Sequence, residues 1–135
     1  MRYPVNLTPD TDGYVVTFPD ISEALTQGDT REEALEMALD ALVTSFDFYF
    51  EDNRRIPAPG IIDGDYVDVP LSVASKVMLL NAFIESGLTQ SELARLMGVK
   101  RQEVTRLFNL HHSTKIDTVQ KALLALGKRL ELTAA

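Results

Sequence analysis

Apolar and polar positions alternate near the start of the chain, across residues 3–7 (Tyr-Pro-Val-Asn-Leu) and more loosely across residues 14–18 (Tyr-Val-Val-Thr-Phe). Between the two runs, Pro9, Asp10, Thr11, Asp12 and Gly13 carry turn chemistry, so a β-hairpin is predicted here. Residues 21–27, bounded by Pro19-Asp20 and Gly28-Asp29, predict a third strand. The period then changes. Leu35, Ala38, Leu39, Leu42, Phe46 and Tyr49 recur at three- and four-residue spacing, the buried stripe of a long helix. Thr30 suits its N-cap, and Glu33 completes a capping box. Glu32 and Glu33 lie in the first turn, where the helix dipole favours negative charge. This helix is predicted to end near Asn53, ahead of Pro57 and Pro59, and residues 66–69 alternate again as a fourth strand closed by Pro70.

The rest of the chain reads as helices alone. Val73, Val77, Leu80 and Ile84 mark one ending at Gly87, and Thr89 with Glu92 caps a second. A third is predicted from near Lys100 to about Leu110, then a loop through His111 and His112, then a fourth from Ile116 to about Leu130. The fold class is α+β. Residues 1–70 form a β-β-β-α-β domain and residues 71–135 an all-α domain.

Residues 89–109 have the layout of a helix-turn-helix whose second helix enters the DNA major groove. Leu93, Met97, Val99, Val104 and Leu107 fall where the helices face each other and the core, and Ala94 sits at their closest crossing. Gly98 occupies the turn, where a left-handed backbone costs glycine little. The second helix turns Arg101, Gln102, Thr105, Arg106 and Asn109 outward. Arg pairs two donors with guanine and Gln matches adenine, so Arg101, Gln102, Thr105 and Arg106 are the candidate base readers. Thr89 and Gln90, at a helix start, suit a phosphate, and Lys100 and Lys115 are further phosphate candidates. A plain helical bundle with a charged, solvated face has the same apolar spacing and is the competing reading.

Charge sharpens the division. Residues 1–70 hold four basic and fifteen acidic residues, a net of −11. Residues 71–135 hold nine basic and five acidic ones, a net of +4, within a chain of −7. Such a switch points to two modules facing different partners. There is no cysteine, hence no disulfide and no thiolate metal site. No secretory signal or membrane-length apolar run is visible, so a cytoplasmic protein free of membrane is expected. Asp10 and Asp12 have the spacing that opens a calcium loop, but Gly13 follows too soon and the bidentate Glu is missing. His111 and His112 are adjacent and point apart. The aromatic run Phe46, Phe48, Tyr49 and Phe50 is expected to be helix core, with any exposed ring left for a protein contact. No metal, cofactor or catalytic residue is expected.

The set Leu93, Ala94, Gly98, Val99, Val104 and Leu107 resembles the Cro/repressor class of helix-turn-helix domains. The front half is similar to the HicB antitoxins of type II toxin–antitoxin systems. The resemblance rests on the hairpin, Pro19-Asp20, Gly28-Asp29-Thr30 opening a helix with Glu33-Ala34, and Ile56-Pro57 after it. The join over residues 69–74 looks like the subtype with a DNA-binding tail. The resemblance implies a partial ribonuclease-H-like front domain. It also implies a partner, HicA, a small basic ribonuclease toxin with a double-stranded-RNA-binding-like fold and a catalytic histidine. The antitoxin would block that toxin, and its tail would repress the shared operon by binding double-stranded operator DNA. An acidic module facing a basic toxin agrees with the charge split. Ribonuclease H chemistry needs carboxylates on the first strand, and residues 2–8 contain none, so a binding module without catalysis is expected. Asp10, Asp12, Asp20 and Asp29 are the candidate toxin-facing residues. One reading helix covers only a half-site, so a homo-oligomer, at least a dimer and held largely by the back half, is also expected. Two other classes share parts of the pattern: a stand-alone repressor with a ligand-sensing front domain, and a metal-dependent nuclease.

Overall fold

The computed structural model describes all 135 residues, and the chain groups into two compact units. The first comprises Met1–Tyr49 and Pro57–Leu71, and the second Phe50–Ile56 and Ser72–Ala135.

In the first unit the initial run of alternation forms two strands, β1 (Arg2–Pro4) and β2 (Asn6–Asp10), parted at Val5. β2 pairs with β3 (Gly13–Thr17) and β3 with β4 (Leu25–Gly28), all antiparallel. β1 pairs antiparallel with β5 (Tyr66–Asp68), and the ladder runs on through the amides of Val5 and Val69 to the carbonyls of Asp65 and Met1. The break at Val5 lets one extended segment serve two sheets. Two expectations are corrected. Residues 21–24 form a turn, closed by the Ala24 amide on the Ile21 carbonyl at 3.1 Å, and only the end of the predicted third strand is extended. β2 also runs on to Asp10, so a carboxylate does stand at the far end of the initial extended segment.

Helix α1 (Arg31–Glu51) buries Ala34, Ala38, Leu42, Ser45, Phe46 and Tyr49. The stripe is rotated from the expected one, and Leu35 and Leu39 are only half-buried. Small residues lead because the chain passes so close here: a Cβ on Gly28 would lie 2.5 Å from the Ala34 nitrogen. The Thr30 hydroxyl accepts from the Glu33 amide at 3.1 Å, but Glu33 reaches back to Asp29 rather than to Thr30, so only the hydroxyl half of the box forms. The core continues through Tyr3, whose ring meets Phe46 edge-on at 5.7 Å. The Tyr3 hydroxyl donates to the Pro57 carbonyl at 2.7 Å.

The second unit holds α2 (Leu71–Ser86), α3 (Gln90–Met97), α4 (Arg101–Leu107) and α5 (Ile116–Ala125). Two contiguous apolar clusters join them, one around Leu79, Leu107, Val119 and Leu123, the other around Phe83, Leu93, Ala94 and Val104. The Phe83 and Phe108 rings meet across the second at a tilt of 46°, their centroids 4.7 Å apart. Asn81 of α2 holds the segment that follows α1: its side-chain oxygen accepts from the Ile56 amide at 2.8 Å and its amide donates to the Ile56 carbonyl at 3.0 Å. No single helix in the chain is long and apolar enough to cross a membrane.

Candidate nucleic-acid interface

α3 begins with a complete capping box. The Thr89 hydroxyl accepts from the Glu92 amide, and the Glu92 carboxylate accepts from the Thr89 amide, both at 3.1 Å. The hydroxyl and amide of Thr89 are thereby engaged. The amides of Gln90 and Ser91, the first two of the helix, have no intrahelical acceptor. The helix stops at Gly98, which adopts φ +69°, and the Val99 amide closes the turn on the Ala94 carbonyl at 3.0 Å. Val99 therefore contributes its backbone. Its side chain is 38% exposed and not part of the core as the spacing suggested.

α4 buries Val104 and Leu107, which leaves Arg101, Gln102, Thr105 and Arg106 exposed on the rest of its surface. The Thr105 hydroxyl lies 3.1 Å from the Gln90 side-chain oxygen and 3.2 Å from the Arg101 carbonyl, so its single proton serves one or the other. Glu103 shares this exposed face and sits 3.6 Å from Arg106, a pairing the sequence reading missed although the i,i+3 spacing carried it. Asn109 is corrected: the helix ends at Leu107, so Asn109 lies in the following loop and not on the helix face. Its side-chain oxygen accepts from the His111 amide at 2.9 Å. Lys100 and Lys115 hold the N-cap positions of α4 and α5, and neither side chain makes a capping bond.

Beneath this surface is a residue the sequence reading passed over. Lys76 of α2 is only 3% exposed. Its ammonium donates to the carbonyls of Arg106 at 3.3 Å, Asn109 at 2.7 Å and His112 at 2.7 Å. Burial lowers its pKa from the ordinary lysine value. A lysine on an otherwise apolar helix face was the available signal.

The four front-half aspartates do not converge. Asp10, Asp12 and Asp29 line one cleft of about 440 Å³ at the tip of the β2–β3 hairpin. Asp20 lines a different one of about 570 Å³, where it accepts from the Gly60 amide at 2.9 Å. Asp10 is partly engaged as well, accepting from the Thr11 amide at 2.7 Å. The basic residues beside them are mostly paired within the unit: Arg31 with Asp65, and Arg2 with Asp68 at 3.0 Å while lying over the Tyr66 ring. With four basic residues against fifteen acidic ones in residues 1–70, these pairs neutralise only a small part of the acidic charge. Of the aromatic run in α1, Phe46 and Tyr49 are buried and Phe48 is exposed.

Residues 2–78 match the family described as HicB_like antitoxin of bacterial toxin–antitoxin systems, and residues 79–132 match a helix-turn-helix family. Among curated proteins, the chain is 70% identical over 134 residues to "Antitoxin HicB 1" of Photorhabdus laumondii, covering 98% of this chain and 86% of that one. It is 63% identical over 135 residues to "Antitoxin HicB" of Escherichia coli K12, covering 98% of each. A protein of the same name from Pseudomonas fluorescens is 43% identical over 117 residues, 84% of this chain and 80% of its own.

Proposed function

This chain belongs to the HicB-like antitoxin family and carries a helix-turn-helix domain, and from that premise we propose that it neutralises a small basic ribonuclease toxin of the HicA kind and represses its own operon. The protein acts in the cytoplasm by occlusion and by DNA binding, not by catalysis. Residues 1–70 contact the toxin and residues 71–135 contact the operator. The observation that carries this reading is the exposed row Arg101, Gln102, Thr105 and Arg106 on a helix set at a glycine turn, in a chain whose other half is strongly acidic.

The roles follow from the chemistry. Arg101, Gln102 and Arg106 present donors to base edges. Gln90, Lys100 and Lys115 lie at helix starts, where amides and cations suit phosphates, while Thr89, engaged with Glu92, serves as the cap of α3. Asn109, in the loop, serves the backbone and not the bases. Asp10, Asp12, Asp20 and Asp29 steer the toxin, chiefly through association rate and salt dependence. Because α4 covers one half-site, the binding species is a homo-oligomer, at least a dimer.

The test separates the two halves within the full chain. Arg101→Ala, Gln102→Ala and Arg106→Ala together are expected to abolish repression of a reporter joined to the protein's own upstream DNA. The same variant is expected to go on rescuing cells that express a toxin of the HicA kind. Undiminished repression would overturn the DNA assignment, and lost rescue would overturn the division of labour.

A further inference from the structure

We infer that Lys76 is a positioning residue that holds α4 and the loop behind it together as one DNA-contacting surface. This rests on the reading that α4 meets DNA.

The last carbonyls of a helix need partners from outside it. α2, α3 and α5 are each followed by a glycine in the left-handed region, Gly87 at φ +71°, Gly98 at +69° and Gly127 at +78°. α4 has no such cap. It ends at Phe108 with φ −95° and ψ 15°, and no glycine follows. The missing cap is supplied by another helix. The Lys76 ammonium gathers the carbonyls of residues 106, 109 and 112. These lie in successive turns, linked by the Asn109 amide on the Arg106 carbonyl and the His112 amide on the Asn109 carbonyl, both at 3.1 Å. The chain therefore winds about one cation, placed at the negative end of the α4 dipole. All three of its protons are used and no carboxylate is paired with it, so the ammonium is a structural centre and not a ligand for an incoming anion.

The consequence is directional. Arg106 belongs to the exposed row of α4, and the loop leads to Lys115 at the start of α5. An ammonium that fixes residues 106, 109 and 112 fixes the bearing of the reading helix relative to that phosphate candidate. A methionine in its place keeps the apolar stem and removes every donor, leaving the three carbonyls to find other partners.

The experiment uses the full-length protein and two DNA duplexes, one selected by the wild-type protein from a random-sequence library and one scrambled. Measured well below the melting temperature, Lys76→Met is expected to bind the selected duplex about tenfold more weakly with little change on the scrambled one. Amide exchange should quicken in residues 108–115 and stay unchanged in α3. A stability defect would scale both affinities by one folded fraction, so equal losses on the two duplexes overturn the inference, as does unchanged affinity. Should the Met variant fail to fold, Lys76→Arg gives the same comparison, since it keeps the charge but not a head that converges on three carbonyls. Wild-type discrimination there overturns the inference too. The triple alanine variant of Arg101, Gln102 and Arg106 is the control. If it binds the selected duplex normally, the reading of α4 itself is wrong. If it does not, while Lys76→Met does, only the role of Lys76 falls.

Discussion

The Thr105 hydroxyl lies 3.1 Å from the side-chain oxygen of Gln90, within reach of a hydrogen bond that joins the first residue of α3 to the exposed face of α4 in competition with the Arg101 carbonyl. Two residues that sequence reasoning treats as separate DNA contacts are thus one linked pair. Thr105→Val keeps the shape and removes the hydroxyl. Both partners are solvent-accessible, so the stability cost should stay below about 1 kcal/mol. Affinity for a selected duplex should fall nonetheless, because Gln90 loses its orientation. Thermal melts beside gel shifts check this, and a large fall in melting temperature with unchanged affinity would contradict it.

Asn81 satisfies both backbone groups of Ile56, which is 1% exposed. Asn81→Leu fills similar space and satisfies neither. Each buried group left without a partner costs about 1–3 kcal/mol. Urea unfolding of the full chain should show a clear fall in midpoint for the helical unit, and an unshifted midpoint would mean the bonds contribute nothing.

Gly28 faces the start of α1 so closely that a Cβ would stand 2.5 Å from the Ala34 nitrogen and 2.6 Å from its Cα. Gly28→Ala should therefore destabilise the first unit by about 1–3 kcal/mol. Gly64, where nothing lies within 4 Å, is the matched control, and its alanine variant should remain within about 0.5 kcal/mol of wild type. Calorimetry on the two variants decides, and equal stability would remove the close-approach account.

Tyr3 gives a signed pH dependence. Burial, with smaller contributions from Asp20 and Tyr49, pushes its hydroxyl up from 10.0 to about 12. Above pH 10.0 the unfolded chain gives up a proton that the folded chain keeps. The stability from Tyr3 is thus full below that pH and is lost as pH rises toward about 12. Tyr3→Phe should flatten this alkaline slope, as read from urea midpoints across the range. Parallel curves for the two proteins would be the adverse result.

Much of this molecule was legible as pattern. The period of two at residues 14–18 and the period near 3.6 in residues 34–49 became strand and helix because local periodicity records which face is buried. Thr89, Glu92 and Gly98 read correctly because caps and turns are local chemistry. What was missed depends on neighbours distant in sequence. The α1 stripe was rotated because Ala34 answers to Gly28, and large residues alone do not reveal where backbones nearly touch. Asn109 read as helix because nothing local stops α4, whose cap comes from Lys76, some thirty residues earlier. Ile56 counted only as part of the Ile56-Pro57 pair after the helix, because the Asn81 that bonds its backbone is distant in sequence. Acidic residues were countable, but not that Asp20 bonds Gly60 while Asp10, Asp12 and Asp29 share a different cleft.

The grouping of Phe50–Ile56 with the helical unit has a consequence for recombination. The apparent seam near Pro70 invites gene fusions that exchange one tail for another. A crossover there would leave the backbone of residue 56 to be held by whatever residue the new tail places at position 81. Unless that residue is asparagine, the amide and carbonyl at position 56 lose their partner. Viable chimaeras should therefore carry residues 50–56 from the donor of the tail, or keep an asparagine at position 81. The two halves of the gene can diverge in what they recognise, but at this point they are inherited as a pair.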